Sequence, residues 1–183
     1  MSERSQFALL TERRFLPFFL TQFFGAGNDN VFKFAFTVLA TYSAAEWGGM
    51  DPKSAGAVIG GIFILPFVLF SATAGQLADK YDKAALIRFV KNLEIAIMLA
   101  IAAGFVWKVV SLLLAGVFLM GLHSTLFGPV KYAYLPQHLD ESELTGGNGM
   151  VEMGTFVAIL LGTLTGGVLV GIPGVGPDWV AGT

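Results

Sequence analysis

Long apolar segments are the feature that most constrains this chain. A bilayer core about 30 Å thick takes roughly 20 residues of α-helix to cross. Five segments are long and apolar enough, at about 15–42, 55–78, 84–105, 109–135 and 148–170. Charged residues make up only 13% of the chain and its mean hydropathy is +0.70, whereas a soluble domain carries about 25% charge. The sequence therefore predicts an all-α membrane protein with five transmembrane helices.

The composition excludes several classes of function. The chain has no cysteine, which excludes disulfides, thiolate catalysis and cysteine-ligated metal sites. Its two histidines, His123 and His138, lie in different regions and form no metal-binding motif. A formal net charge of −2 gives no sign of nucleic-acid binding, and no nucleophile–base pair or phosphate-binding loop is present. We therefore expect a non-enzymatic chain without cofactor, metal or nucleic-acid partner.

Basic residues predict the orientation, because lysine and arginine are enriched in cytoplasmic loops. Most lie before the first segment, around the turn after the second, or near the end of the fourth: Arg4, Arg13, Arg14, Lys80, Lys83, Arg88, Lys91 and Lys131. Lys53 and Lys108 fall on the other side. We expect residues 1–14 to be cytoplasmic, residues 15–171 to form the transmembrane bundle, and residues 172–183 to be a periplasmic loop.

A polar interruption divides the first apolar segment at FFGAGNDNVFKF, residues 23–34. Asp29 lies near the middle of the bilayer, where a charge costs about 2.5–3.5 kcal/mol, so it must face protein or a water-filled cavity. Asn28, Asn30 and Lys33 accompany it. They either line a transport pathway with Asp29, or Asp29 pairs internally with Lys33 at i+4 while the asparagines bond neighbouring helices. A re-entrant hairpin broken at the preceding glycines is a further alternative.

A charged turn, GQLADKYDKAAL, joins the second and third segments. Gly75 is expected to let helices approach closely, and Asp79 to cap the N-terminus of a facing helix. Lys80 and Lys83 are expected to anchor the turn at the cytoplasmic face. Taken alone, the stretch also fits an ordinary cytoplasmic turn.

Two further candidate site residues lie in the last two segments. Lys131 follows a Gly-Pro pair in FGPVKYAYLP and is either a site residue or an interfacial lysine that reaches out to water. Glu152 lies about one turn inside the predicted fifth helix and is either a gate residue or an interfacial charge. Small residues spaced four apart predict close helix packing there, in the pairs Gly162–Gly166 and Gly167–Gly171.

The turn at 75–86 resembles the G-x-L-A-D-[RK]-x-G-[RK] signature of the major facilitator superfamily, with Asp82 where that signature has glycine. QFFGAGNDNVFK, this turn, GPVKYAYLP and NGMVEMGTFVAILLGTLTGGVL follow one another over about residues 13–171. Together they resemble the superfamily's lysophospholipid transporters, including the form fused to an acyl-ACP synthetase/acyltransferase.

The resemblance implies a function. Members of that family flip lysophospholipids, notably lysophosphatidylethanolamine, across the bacterial inner membrane towards the cytoplasm, where they are reacylated. Helices one and four line the central cavity, which implies that Asp29 and Lys131 face it. Our hypothesis is that Asp29, with Asn28 and Asn30, attracts the headgroup ammonium, and that Lys131 attracts the phosphate.

The length of the chain bears on its partners. A facilitator consists of two six-helix halves with the substrate between them, and this chain has five predicted spans. We expect the amino-terminal part of a larger protein that lacks its sixth helix. The expected partners are lysophospholipid, membrane lipid, the C-terminal helix bundle and a fused or associated acyltransferase. A dimer of half-transporters is the less favoured alternative.

Two other functions remain open at the level of sequence. A proton-coupled facilitator or exporter of a small metabolite or drug fits the same turn, with Asp29 as a proton site. A membrane module that recruits or regulates an acyltransferase without transporting anything is the second.

Overall fold

The computed structural model describes residues 6–47 and 49–172, and the prediction of an all-α fold is confirmed. Its five long helices are α1 Leu16–Tyr42, α2 Pro52–Lys80, α3 Lys83–Val106, α4 Val110–Tyr134 and α5 Glu141–Gly171. Short 3₁₀ helices cover Gln6–Thr11 and Leu135–Gln137. Residues 1–5 and 173–183, which hold parts of the predicted terminal segments, lie outside the described residues.

Four of the described helices, α2 to α5, are long and apolar enough to cross a membrane. Helix α1 has 27 residues but is not among them, because polar side chains interrupt its apolar sequence. It is nevertheless one unbroken helix through Gly25 and Gly27, so the hairpin alternative is wrong. Helix α1 lies inside the bundle, packed against α5 and α2.

Side-chain caps fix where three helices begin. The carboxylates of Asp51 and Asp82 accept hydrogen bonds from the backbone N–H groups of Lys53 and Ala85, at the starts of α2 and α3. Asp140 and Glu143 form a capping box that starts α5 at residue 141, not at the predicted 148. The polar, glycine-containing stretch ESELTGGNG hid this first part of α5 from a prediction based on hydropathy.

Glycines allow the closest helix contacts. A Cβ at Gly162 would collide with the carbonyl oxygen of Gly27, and one at Gly166 would approach Val31, so this pair packs α5 tightly onto α1 as predicted. The second predicted pair differs: Gly167 faces a Phe34 ring, and a Cβ added at Gly171 would have no described atom within 4 Å. The sequence pattern was therefore correct for one face of α5 only.

A buried polar layer separates two apolar clusters. One cluster contains Phe32, Phe36, Leu39, Ala40, Trp47, Ala55, Ile59, Ile97, Ile101, Leu113, Val117 and Met120. The other contains Leu9, Phe15, Phe18, Phe19, Val90, Phe127, Leu135, Leu139, Met150 and Val151. The buried polar residues Gln22, Asp29, Asn30, Glu94, His123 and Thr125 fall between them along the helices. Burying a polar group costs free energy unless the group is paired, so this layer is the candidate functional site.

Arg14 ties the N-terminal segment to the start of α5. Its guanidinium donates hydrogen bonds to Glu143 at 2.7 Å, to Glu12 at 2.5 Å and to the carbonyl oxygen of His138 at 2.9 Å. The hydrogen bonds to Glu143 and Glu12 raise the pKa of Arg14 above its usual value. Arg14 therefore has a structural role in addition to its contribution to orientation.

Candidate functional site

Asp29 lies in the polar layer, where α1 faces α4. Its side chain is buried, and its Oδ2 accepts a hydrogen bond of 2.7 Å from the hydroxyl of Ser124. Its Oδ1 is buried and has no hydrogen-bond partner among the described residues. A buried carboxylate oxygen without a hydrogen-bond donor costs free energy. A cationic ligand that bound to this oxygen would offset that cost.

Asn28 and Asn30, next to Asp29 in sequence, point in other directions, because successive residues of a helix are about 100° apart. Lys33, four residues on, lies nearly on the same face of α1 as Asp29. Asn28 lines a groove towards α3. Asn30 donates a hydrogen bond of 2.8 Å to the carbonyl oxygen of Ala26. The Lys33 Nζ lies 4.3 Å from the centroid of the Phe63 ring on α2. Among the described residues no ion pair joins Asp29 to Lys33, so the predicted internal pair is not observed.

Lys131 points into the bundle and does not reach out to water. Its Nζ lies 3.3 Å from Glu152 Oε1 and 3.5 Å from Thr155 Oγ1, and only 11% of its side chain is exposed. The Thr155 hydroxyl in turn donates to Gln22 Oε1 at 2.9 Å. Because α5 begins at residue 141, Glu152 lies about three turns inside the helix, deeper than the single turn predicted. Lys131, Glu152, Thr155 and Gln22 thus join α4, α5 and α1.

The pair Asp29–Ser124 and the group around Lys131 and Gln22 have the same spacing along α4 and along α1. Ser124 and Lys131 are seven residues apart on α4, and Gln22 and Asp29 are seven residues apart on α1. Seven residues make two helical turns, or about 10 Å. The two helices run in opposite directions. Asp29, the later of the two residues on α1, lies beside Ser124, the earlier of the two on α4. Gln22, the earlier residue on α1, is linked through Thr155 to Lys131, the later residue on α4. An acidic group and a basic group therefore lie about two turns apart along the same pair of helices.

A second charged cluster, which was not predicted from the sequence, extends the polar layer to α3. Lys91 Nζ donates a hydrogen bond of 2.7 Å to Glu94 Oε2, which lies 3.3 Å from His123 Nε2 on α4. His123 is almost fully buried. From the sequence, Lys91 counted only as a basic residue near a loop. The available signal was the presence of Glu94 and His123 inside apolar segments, the same signal that singled out Asp29.

A groove of about 480 Å³ lies between α1 and α3. Polar residues line one part of it and apolar residues the rest; they are Thr21, Phe24, Gly25, Asn28, Lys91, Glu94, Ile95, Met98 and Leu99. Asn28 therefore lies on the α3 side of α1, away from the hydrogen bond between Asp29 and Ser124.

In the turn between α2 and α3, the contacts predicted for Gly75 and Asp79 are not observed among the described residues. A Cβ at Gly75 would have no described atom within 4 Å, so the expected close approach is not seen within the described residues. Asp79 is exposed and has no cap contact there. Lys83 Nζ donates to the carbonyl oxygens of Asp79 and Tyr81, at 3.3 and 3.2 Å, at the end of α2. Lys80 lies over the Tyr81 ring.

Asp82, which stands where the signature has glycine, has φ −58° and caps α3. A negative φ is open to any residue, so the turn does not require glycine at this position.

Comparisons with known proteins agree on one family. The model of the Major Facilitator Superfamily matches residues 18–182. The lysophospholipid transporter LplT of Escherichia fergusonii is 31% identical over 150 residues, which are 82% of this chain and 35% of that protein. The proteins of the same name from Salmonella arizonae and Yersinia enterocolitica are 31% and 29% identical, over 84% and 87% of this chain and 36% and 37% of theirs.

The chain thus spans about a third of the length of these curated relatives. No solved structure matches it.

Proposed function

Because the chain belongs to the major facilitator superfamily of membrane transporters, we propose that it forms part of a lysophospholipid flippase. The proposed cargo is a phospholipid with one acyl chain, such as lysophosphatidylethanolamine. The proposed direction is across the bacterial inner membrane towards the cytoplasm, with the amino terminus on the cytoplasmic side. An acyltransferase, fused or separate, would then restore the second chain.

One observation carries the proposal: Asp29 is hydrogen-bonded to Ser124 of α4, and Lys131 lies seven residues, or about two turns, further along the same helix. A phosphoethanolamine headgroup has an ammonium and a phosphate joined by two carbon atoms. Asp29 Oδ1, which has no described donor, suits the ammonium, and Lys131 suits the phosphate. Charge-assisted hydrogen bonds of this kind are about twice as strong as neutral ones.

The groups around the two charges fit this assignment. Ser124 holds the other oxygen of Asp29, which fixes the direction of the carboxylate. Glu152 pairs with Lys131 and is itself nearly half exposed, at 44% of its side chain. A phosphate can displace this carboxylate from Lys131, because Glu152 is only partly enclosed by the described residues. Asn28 and Asn30 support the site less directly than predicted, since they face the α3 groove and the carbonyl of Ala26.

The names of the relatives support the choice of cargo. Proteins called lysophospholipid transporters match over most of this chain. The proposed cargo also fits the apolar part of the groove between α1 and α3, because an acyl chain needs an apolar lining.

The test uses protein expressed from the complete gene and reconstituted into vesicles. Labelled lysophosphatidylethanolamine is added to one leaflet, and its movement is followed for wild type, Asp29→Asn and Lys131→Ala. Glu141→Gln and Lys53→Ala serve as matched controls, since both residues are exposed and lie away from the polar layer. We expect the site variants to lose transport and the controls to retain it.

Movement that is absent in wild type would contradict the cargo and favour a facilitator of another small metabolite or drug. Movement that survives both site substitutions would contradict the headgroup site but leave the cargo intact. Reconstitution with and without any fused enzyme domain separates transport from the alternative of a non-transporting module.

A further inference from the structure

We propose that Lys33 is a second phosphate-binding residue for the same cargo, placed on the opposite side of Asp29 from Lys131. In this arrangement the substrate ammonium stays at Asp29, while the phosphate is held first by Lys33 and then by Lys131. The inference rests on the proposed function, because it takes the cargo to be a lysophospholipid whose ammonium binds Asp29.

The positions of the two lysines follow from the directions of their helices. Lys33 is four residues after Asp29 on α1, which is about 6 Å along the helix. Lys131 is seven residues after Ser124 on α4, or about 10 Å. The two helices run in opposite directions, and Asp29 contacts Ser124. Lys33 and Lys131 therefore lie on opposite sides of Asp29 along the bundle.

The contacts of Lys33 leave its ammonium open to an anion. Its Nζ lies 4.3 Å from the centroid of the Phe63 ring, and Asp29 attracts it electrostatically without forming an ion pair. Within residues 6–47 and 49–172, this Nζ has no hydrogen bond and no ion pair. A ring face attracts a cation, but it does not pair the three N–H donors of an ammonium group. Phosphate oxygens are charged acceptors that would pair them.

The ion pairs of the other inner lysines set Lys33 apart. Two such pairs are present, Lys91–Glu94 and Lys131–Glu152. Asp29 Oδ1 and Lys33 Nζ have no comparable partner among the described residues. The carboxylate lacks a cation and the ammonium lacks an anion, one helical turn apart. A zwitterionic headgroup supplies both.

Phe63 lies at the same helix junction as Asp29. Its backbone carbonyl packs against Gly121 of α4, where an added Cβ would collide with it. Gly121 is three residues, or about one turn, before Ser124, whose hydroxyl holds Asp29 Oδ2. The lysine over Phe63 and the carboxylate beside Ser124 therefore meet where α1, α2 and α4 join.

The two lysines differ in how readily they accept a phosphate. Lys33 has no carboxylate partner within the described chain, whereas Lys131 must first release Glu152. With the proposed cytoplasmic amino terminus, Lys33 is also nearer the periplasmic end of α1, where the proposed cargo enters. The phosphate therefore meets Lys33 first and passes Asp29 to reach Lys131. Two cations on either side of Asp29 shorten the path over which the phosphate is unpaired, and an unpaired charge inside a membrane is costly.

The first experiment measures equilibrium binding to purified protein from the complete gene. The probes are labelled lysophosphatidylethanolamine and a monoacylglycerol with the same acyl chain, which lacks the phosphate. The variants are Lys33→Gln, which removes the cation, and Lys33→Arg, which keeps it. Lys53→Gln is the matched control, because Lys53 is exposed at the start of α2. Elution volume and helix content show whether each variant is folded.

We expect Lys33→Gln to lower the affinity for lysophosphatidylethanolamine by about tenfold or more, the loss that follows from removing a hydrogen bond to a charged group. Affinity for the monoacylglycerol is expected to stay the same, and Lys33→Arg is expected to restore binding of the phospholipid. An unchanged affinity in Lys33→Gln, an equal loss for both probes, or a loss that Lys33→Arg does not restore overturns the phosphate contact.

The second experiment tests the exchange between the two lysines. Glu152→Gln frees Lys131, so the phosphate no longer depends on Lys33 alone. In this background the loss caused by Lys33→Gln is expected to be smaller by about threefold or more, which is within the range of coupling between interacting residues. A loss of equal size in both backgrounds overturns the exchange.

The two proposals fail in different ways. If wild type binds and moves lysophosphatidylethanolamine while Lys33→Gln behaves like wild type, the proposed function stands and the role of Lys33 is wrong. If wild type does not bind this lipid, the proposed function is wrong and the role of Lys33 falls with it.

Discussion

The hydroxyl of Ser124 donates a hydrogen bond of 2.7 Å to Oδ2 of Asp29, and Oδ1 of the same carboxylate has no described donor. The two oxygens of Asp29 therefore have different roles. One is held by α4, which fixes the direction of the carboxylate, and the other is buried without a donor among the described residues. The unsatisfied oxygen is the one that the proposed function assigns to the substrate ammonium.

Ser124→Ala is expected to weaken substrate binding without abolishing transport. A hydrogen bond to a charged group is worth about 1.5–3 kcal/mol, which corresponds to a loss of affinity of about tenfold or more. The measurement is the equilibrium binding of labelled lysolipid to the purified protein, which does not require transport. Ser111→Ala is the control, since Ser111 is also on α4 but exposed. If Ser124→Ala weakens binding equally in wild type and in the Asp29→Asn background, the hydroxyl does not act through Asp29.

Lys131 and Glu152 are expected to respond in opposite ways. Lys131→Ala removes the group assigned to the phosphate, so affinity should fall. Glu152→Gln removes the carboxylate that competes for Lys131, so the half-saturating concentration should stay the same or decrease. Binding of lysolipids with and without a charged phosphate distinguishes the two effects. A loss in Glu152→Gln as large as that in Lys131→Ala would mean that the ion pair itself is required.

Gly162→Ala is expected to destabilise the contact between α1 and α5. The added methyl group meets the carbonyl oxygen of Gly27, and overpacking of this kind costs about 1–3 kcal/mol. Gly61→Ala is the matched control, because Gly61 is exposed and a Cβ there has no described atom within 4 Å. Replacement of an exposed helical glycine by alanine gains up to about 1 kcal/mol. Thermal unfolding midpoints in detergent should therefore move in opposite directions, and equal midpoints would argue against close packing at Gly162.

Asp82 is expected to contribute to stability as the cap of α3. Asp82→Ala removes the acceptor for the Ala85 N–H and should cost about 1 kcal/mol, whereas Asp82→Gly should cost only a few tenths. Asp82→Asn keeps an acceptor and serves as the conservative variant. The unfolding midpoints of the three variants give the order. A more stable Asp82→Gly than wild type would show that the signature glycine suits this turn better than the cap.

Some residues of the candidate site could be predicted from the sequence, and others could not. Asp29 was identified as a charge that must face protein or a cavity, because a charge inside an apolar segment is conspicuous, and it is buried. Lys131 was left open between a site residue and an interfacial lysine, and 11% of its side chain is exposed. Their partners, Ser124 and Glu152, were not paired with them, although Glu152 was itself a candidate. Asn28 was grouped with Asp29 by proximity in sequence, but the helix turns it towards α3. Lys33 was grouped with Asp29 by its i+4 spacing, but its Nζ lies over the Phe63 ring of α2. Glu94 and His123 also lie inside apolar segments, which is the criterion that selected Asp29, but they were not predicted as site residues.

The sequence by itself determined that the chain is helical and has segments suited to a membrane, although it missed the first seven residues of α5. Apolar runs of this length must satisfy their backbone hydrogen bonds internally, and in lipid an α-helix is the way a single segment does so. Only the tertiary structure decided which buried polar groups meet. Asp29 and Ser124 are 95 residues apart, and Gln22 and Thr155 are 133 apart. Helical periodicity tells which face of a helix a residue occupies, but the neighbour across that face depends on how all the helices pack together.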